Sequence, residues 1–347
     1  MSEDEKSPEE PMESDEVEEP NVDDERAKND TEEKDRKDSR ISRRQDLTPY
    51  FEKSDHSRNK IHCTEVPKIC RDEPCQLGVD EAGRGPVLGP MVYGIAYAPL
   101  SKKQSLVDIG CADSKTLTED QRDGIFDKIC DKHDEMGWAV EAISPNVIAN
   151  SMYRRSKESL NEVSMNSAIG LIKLALEAGV RVTEIYVDTV GKPEKYQAKL
   201  KAIFPEIDKI VVAKKADSTY PIVSAASICA KVSRDHALRA WQFREGDVNG
   251  EYGSGYPNDP VTKKWLTENV DQVFGFPQIV RFSWSTAEKI LESKALGVEW
   301  EDIEDADAPI EPKISKFFTR TPPGSNKSNR QKHSFFAERF ITNTTEL

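Results

Sequence analysis

Gln76-Leu-Gly-Val-Asp80-Glu81-Ala-Gly83-Arg84-Gly85-Pro86 reads as a buried strand that runs straight into two acids and then a glycine-rich turn. A second apolar stretch follows at once, Met91-Val-Tyr-Gly-Ile-Ala-Tyr-Ala98, so a strand and not a helix comes after the turn. That order excludes a dinucleotide-binding fold. The glycine spacing of Gly83-Arg-Gly-Pro-Val-Leu-Gly89 misses the fingerprint by one, and Pro86 removes an amide where a phosphate needs donors. Gly83 and Gly85 instead let the backbone approach a sugar closely, and Arg84 can pair with a phosphate. A plain tight turn with a solvated arginine is the competing reading.

Outward from this stretch, helices and strands alternate. Thr118 caps a helix over 116–131, and Trp138-Ala-Val-Glu-Ala-Ile143 is a third strand. Leu160, Val163, Ala168, Leu171, Ile172 and Ala175 share one side of a long helix that Gly179 stops. Glu184-Ile-Tyr-Val-Asp188 is the fourth strand and residues 207–213 the fifth, with a helix around 194–202 between them. Further helices are expected over 222–244, 261–270 and 286–295. Three strands at hairpin-like spacing followed by alternating helices and strands predict an α/β fold, a mixed five-stranded sheet flanked by helices with a helical C-terminal extension.

Composition marks the ends of the domain. Of 347 residues, 36% are hydrophobic and 32% charged, which is polar for a chain folded throughout. Residues 1–40 carry 18 acidic and 7 basic side chains, and 299–311 carry 7 acidic and no basic ones. Outside these runs the net charge of −14 becomes slightly positive, which keeps a polyanionic partner open. Residues 1–70 are therefore read as a disordered acidic extension, 71–298 as the catalytic domain, and 299–347 as an acidic, then Ser/Pro/Lys-rich disordered tail. Deletion of residues 1–60 is expected to leave folding intact. No apolar run reaches the roughly 18–20 residues of a membrane span, and the N-terminus lacks a signal peptide, which predicts a soluble intracellular protein. Six cysteines form no disulfide scaffold, and the His62, Cys63, Cys70, Cys75 spacing is not that of a zinc site.

Four acids end strands or begin the turns after them: Asp80, Glu81, Asp188 in Tyr186-Val-Asp-Thr-Val-Gly191, and Asp217 in Lys214-Lys-Ala-Asp-Ser218. Several carboxylates at one sheet edge are costly unless a cation offsets them, and oxygen donors favour two Mg²⁺ or Mn²⁺ ions suited to phosphoryl displacement. Ser114 and Lys115 sit on a loop before a helix, as phosphate contacts or as ordinary surface groups. The loop Gly253-Ser-Gly-Tyr-Pro257 presents Tyr256 either to a sugar or base or to its own loop.

Five long motifs together give a resemblance: VDEAGRGPVLGPMVYG (79–94), DSKTLTE (113–119), VDTVGKPEKYQ (187–197), KADSTYPIVSAASICAKVSRD (215–235) and GSGYPNDP (253–260). Over residues 75–298 the chain resembles the catalytic A subunits of eukaryotic type 2 ribonuclease H. The resemblance implies a ribonuclease H-like fold and metal-dependent cleavage of RNA–DNA hybrids. It also implies incision 5′ of single ribonucleotides in duplex DNA, leaving 3′-OH and 5′-phosphate ends. It assigns Asp80, Glu81, Asp188 and Asp217 to the metals, Gly83, Arg84 and Gly85 to the ribose 2′-OH, and Tyr256 to the deoxyribose at the junction. It further implies two non-catalytic subunits, B and C, of a heterotrimer, and nuclear work in replication, mismatch repair and ribonucleotide removal. A non-catalytic hybrid-binding module, and a transposase or junction nuclease of the same fold, are the alternatives. All four acids argue against the first, and the turn and tyrosine loop against the second. Glu311-Pro-Lys-Ile-Ser-Lys-Phe-Phe318 resembles a sliding-clamp box with Glu for the usual Gln, and Asp46-Leu-Thr-Pro-Tyr-Phe51 is a poorer echo.

Overall fold

The structure is a computed structural model and describes residues 43–111, 117–189, 191–246, 248 and 250–297. Helices α1 (Leu47–Glu52) and α2 (Lys68–Asp72) bracket strand β1 (Lys60–Cys63). Strands β2 (Cys75–Ala82) and β3 (Met91–Pro99) come next, then α3 (Lys103–Asp108), α4 (Glu119–Asp131) and β4 (Gly137–Ile143). Helices α5 (Pro145–Tyr153) and α6 (Leu160–Glu177) lead to β5 (Val182–Asp188), α7 (Pro193–Ile203) and β6 (Lys209–Ala213). The described chain closes with α8 (Pro221–Arg239), α9 (Pro260–Glu268) and α10 (Ser285–Lys294). No described helix is long and apolar enough to cross a membrane.

The strands form one sheet in the order β1-β4-β3-β2-β5-β6. β2, β3 and β4 form an antiparallel run, while β5 and β6 join β2 in parallel through helical crossovers. Because side chains alternate, Leu77 and Val79 of β2 enter the core beneath α6 and α7, with Ile172, Ala175 and Leu200. The even-numbered positions face α8. That helix lies against the sheet so closely that a Cβ on Gly78 would stand 2.4 Å from the Ile222 carbonyl oxygen, and one on Gly94 2.7 Å from that of Ala226. The small-residue run Ser224-Ala-Ala-Ser227 is the other half of the same fit. A third apolar cluster, around Leu88, Trp265, Leu266 and Val280, ties the C-terminal helices to the segment after the glycine turn.

Local signals explain most boundaries. Thr118 accepts from the Gln121 amide and Ser159 from the Glu162 amide, each within a reciprocal capping box. Gly179, at φ +90°, ends the stretch after α6. Helix α8 stops at Arg239, five residues before the expected end at 244.

Two expectations are corrected. The sheet has six strands among the described residues, not five, because β1 pairs antiparallel with β4. Residues 43–70, read as part of a disordered extension, instead hold α1, β1 and most of α2. Leu47 and Phe51, one helical turn apart, are buried at 0% and 3% exposure in the core beneath α8. Thr48 Oγ1 lies 2.7 Å from His236 Nδ1 on α8, and Arg44 pairs with Asp123 and Asp127 on α4. Two apolar side chains in a polar stretch give no periodicity, so only the tertiary partners reveal this strap. Residues 1–42 and 298–347, with the clamp-like box at 311–318, lie outside the described residues.

The strap changes what truncation does. Leu47→Ala or Phe51→Ala should cost about 2–5 kcal/mol in urea or guanidinium unfolding, the range for large core side chains cut to alanine. Removal of residues 1–60 should destabilise by at least as much, whereas a cut after 42 should leave the midpoint unchanged. A silent Leu47→Ala would detach the strap from the core.

Candidate active site

Asp80 and Asp188 share the α8 side of the sheet, and Asp217 follows on the turn after β6. Val79 pairs with Val187 at the end of the β2–β5 ladder, so Asp80 and Asp188, the next residues of the two parallel strands, share a face. Lys215, the one non-glycine with positive φ among the described residues (56°), folds the chain after β6 into the 3-10 turn Ala216–Ser218 that carries Asp217. The Ala216 amide donates to Asp188 Oδ1 at 2.8 Å, which binds that turn to the end of β5. Asp80 is 5% exposed, accepts from the Ser227 hydroxyl on α8, and takes its own neighbour's amide, Glu81 N, at 2.7 Å.

Glu81 leaves the same edge from the opposite face, toward Tyr93 and Tyr196 on the α6 side. The alternation of β2 makes this unavoidable for consecutive residues. Among the described residues no three His, Cys, Asp or Glu side chains stand close enough to hold one ion. The donor set nevertheless fits a hard divalent cation. Burial, and then the carboxylates of Glu81 and Asp188, hold the Asp80 carboxyl well above its usual range, a cost that a bound cation reverses.

The glycine turn is held from beneath by two arginines, Arg281 buried and Arg234 half-buried. Arg281, fully buried, donates from Nη2 to Gly83 O at 2.7 Å, from Nη1 to Arg84 O at 3.2 Å and from Nε to Gly89 O at 2.9 Å. Trp284 lies under this guanidinium, 4.9 Å from its ring centre, and its indole N–H donates to Gly85 O at 3.1 Å. Arg234 on α8 donates to Pro90 O and Leu88 O, and it fills the space a Cβ on Gly83 would need. With φ +74°, Gly83 has no substitute on either count.

The tyrosine loop is equally fixed. The Asp259 carboxylate accepts from the Ser254 hydroxyl and amide and from the Val261 amide, bonds that hold its pKa down to about 2. Gly255 O accepts from the Val87 amide at 2.8 Å, joining this loop to the segment after the glycine turn. Tyr256 is thereby set beside Gly85, where a Cβ would meet its ring at 3.3 Å, yet it stays 53% exposed. Glu81, Arg84, Gly85, Tyr256 and Trp284 line one open groove of ≈ 570 Å³.

The structure thus puts Asp80 and Asp188 on one face, ties the turn that carries Asp217 to Asp188, and sets Glu81, Arg84, Gly85 and Tyr256 in the groove around the same sheet edge. Ser114 and Lys115 lie outside the described residues. Arg281 and Trp284 escaped the sequence reading; the one signal was a lone arginine in the otherwise apolar run Ile279-Val-Arg-Phe.

Acids at the edge of a central mixed sheet, helices on both faces and an open groove beside them define a ribonuclease H-like enzyme. The fold recurs in the solved ribonuclease H2 of Pyrococcus horikoshii, with a TM-score of 0.52 and 38% identity over 63% of this chain and 98% of that one. It recurs too in the PCNA:RNase HII complex from Archaeoglobus fulgidus, at 0.51 and 30%, over 62% and 96% of the two chains. The ribonuclease HII family pattern matches residues 77–287, and a ribonuclease H2 subunit of Bos taurus is 52% identical over 284 residues, 81% of this chain and 94% of that protein. The chain belongs to the ribonuclease HII family and is an endoribonuclease.

Arg281→Met keeps bulk but leaves three carbonyl oxygens without their donors. Each buried group left unpaired costs about 1–3 kcal/mol, so a loss of several kcal/mol in chemical unfolding is expected, together with lower activity. Wild-type stability in this variant would show that the turn holds its shape unaided.

Proposed function

We propose that this chain hydrolyses RNA in RNA–DNA hybrids and incises duplex DNA 5′ of single embedded ribonucleotides. The observation that carries the reading is the junction of three elements at one sheet edge: the acids, the Gly83–Gly85 turn and the exposed ring of Tyr256 beside Gly85. Asp80, Glu81, Asp188 and Asp217 would hold two divalent cations, Mg²⁺ or Mn²⁺. When bound, these supply the charge that activates water and stabilises the leaving oxygen, giving 3′-OH and 5′-phosphate ends.

The chain's own groups choose the bond. The turn, bare of side chains at Gly83 and Gly85, lets backbone polar groups reach a ribose 2′-OH, and Arg84 pairs with a neighbouring phosphate. Tyr256 packs on the sugar after the ribonucleotide, so a deoxyribose there is favoured and base identity is not read. Ser114 and Lys115 would add phosphate contacts from the loop before α4.

We further infer that the chain works with two non-catalytic subunits, since the bovine relative is named as one subunit of its enzyme, and acts in the nucleus in ribonucleotide removal during replication and repair. Of the two clamp-like boxes, the echo at 46–51 is excluded, because Leu47 and Phe51 are buried in the core. Residues 311–318 are the remaining candidate for a sliding clamp, supported by the archaeal relative solved with PCNA.

Cleavage of a duplex with one ribonucleotide, in Mg²⁺ and with the partner subunits present, tests the whole reading. Asp188→Asn keeps shape but weakens cation attraction, so activity should fall by more than tenfold while hybrid binding stays measurable. Tyr256→Ala should reduce cutting at a single embedded ribonucleotide more than cutting of a long hybrid, which requires no junction. Equal losses on the two substrates would refute junction reading.

A further inference from the structure

Arg84 is not free to swing across the groove. Its Nη1 donates to Ser164 Oγ and its Nη2 to Asn161 Oδ1, both at 2.5 Å. Asn161 and Ser164 lie three residues apart at the start of α6 and therefore share a face of the helix. That first turn is fixed by the Ser159–Glu162 capping box, so the two acceptors are presented by rigid backbone.

Ser164 is itself pinned from the sheet side. It is 4% exposed, and its hydroxyl lies 3.8 Å from Met91 Sδ. Both anchors are neutral, so they orient the fork without cancelling its charge. A guanidinium has five N–H donors; with one on each terminal nitrogen taken, three remain for an oxyanion.

We propose that Asn161 and Ser164 are positioning residues that hold the Arg84 guanidinium toward the groove before substrate enters. The proposal rests on the reading of Arg84 as a phosphate contact. Its benefit is entropic, since a free arginine side chain would lose its rotamer freedom on meeting the phosphate, and this one has lost it on folding.

The test is a double-mutant cycle on the full-length chain with its partner subunits, cutting a duplex with one ribonucleotide. Asn161→Ala with Ser164→Ala should lower kcat/KM by about tenfold, within the cost of re-ordering one arginine side chain. In an Arg84→Ala background the same pair should change it by less than twofold, because nothing is left to position. Binding of the uncut duplex with divalent ions chelated should weaken in parallel. A merely structural role predicts equal losses in both backgrounds, and that result overturns the proposal. So does a costly Arg84→Ala beside a silent Asn161/Ser164 pair, which would leave Arg84's own role standing. A silent Arg84→Ala overturns the phosphate reading and this proposal with it. Asn161→Ala alone, at an exposed position that folding does not need, runs the same cycle should Ser164→Ala disturb packing.

Discussion

The contact between α8 and the central strands sets everything else. A helix normally stands about 10 Å from a sheet, with side chains filling the gap. Here the gap is closed to backbone contact, because Gly78 and Gly94 carry no Cβ and the facing turn of α8 is serine and alanine. The consequence is chemical as well as steric. At this separation the Ser227 hydroxyl reaches Asp80, and Arg234 passes under Gly83 to the carbonyls of Leu88 and Pro90. One helix thus buries an acid and shapes the neighbouring turn.

The turn is the second dependent feature. A short backbone segment with two glycines would sample many conformations in isolation. Arg281, Arg234 and Trp284 together take up the carbonyls of Gly83, Arg84, Gly85, Leu88, Gly89 and Pro90, so the carbonyl side is satisfied from below. Two guanidinium groups side by side repel, and burial, then the Arg234 charge, lower the pKa of Arg281 well below the usual arginine range. Such a pair persists only because its donors meet carbonyl oxygens. The C-terminal helices serve the site in this way, by delivering Arg281 and Trp284 rather than by touching the acids.

The division of acids between two faces follows from strand geometry. Asp80 and Asp188 lie on the α8 side, while Glu81 opens into the groove with Arg84 and Tyr256. An adjacent pair of acids on β2 is thereby split between the α8 face of the sheet and the groove.

Much of this was legible in the residues themselves. The five strands from Cys75 onward, the long helix capped by Ser159 and the acids at strand ends follow from period, caps and turn chemistry, which act over a few neighbours. The sixth strand and the α1 strap were not, because Leu47 and Phe51 mean nothing until α8 lies against them. The same holds for Arg281, nearly 200 residues from the turn it supports, and for Ser164 and Asn161, each about 80 from Arg84. The sequence alone determined the family pattern, the order of strands and helices and which residues are candidates for the chemistry, since residue type and short spacing limit what a side chain can do. Only the tertiary structure decided which of them are held, by what, and on which face, because hydrogen bonds form between groups that folding brings within about 3 Å, whatever their distance along the chain.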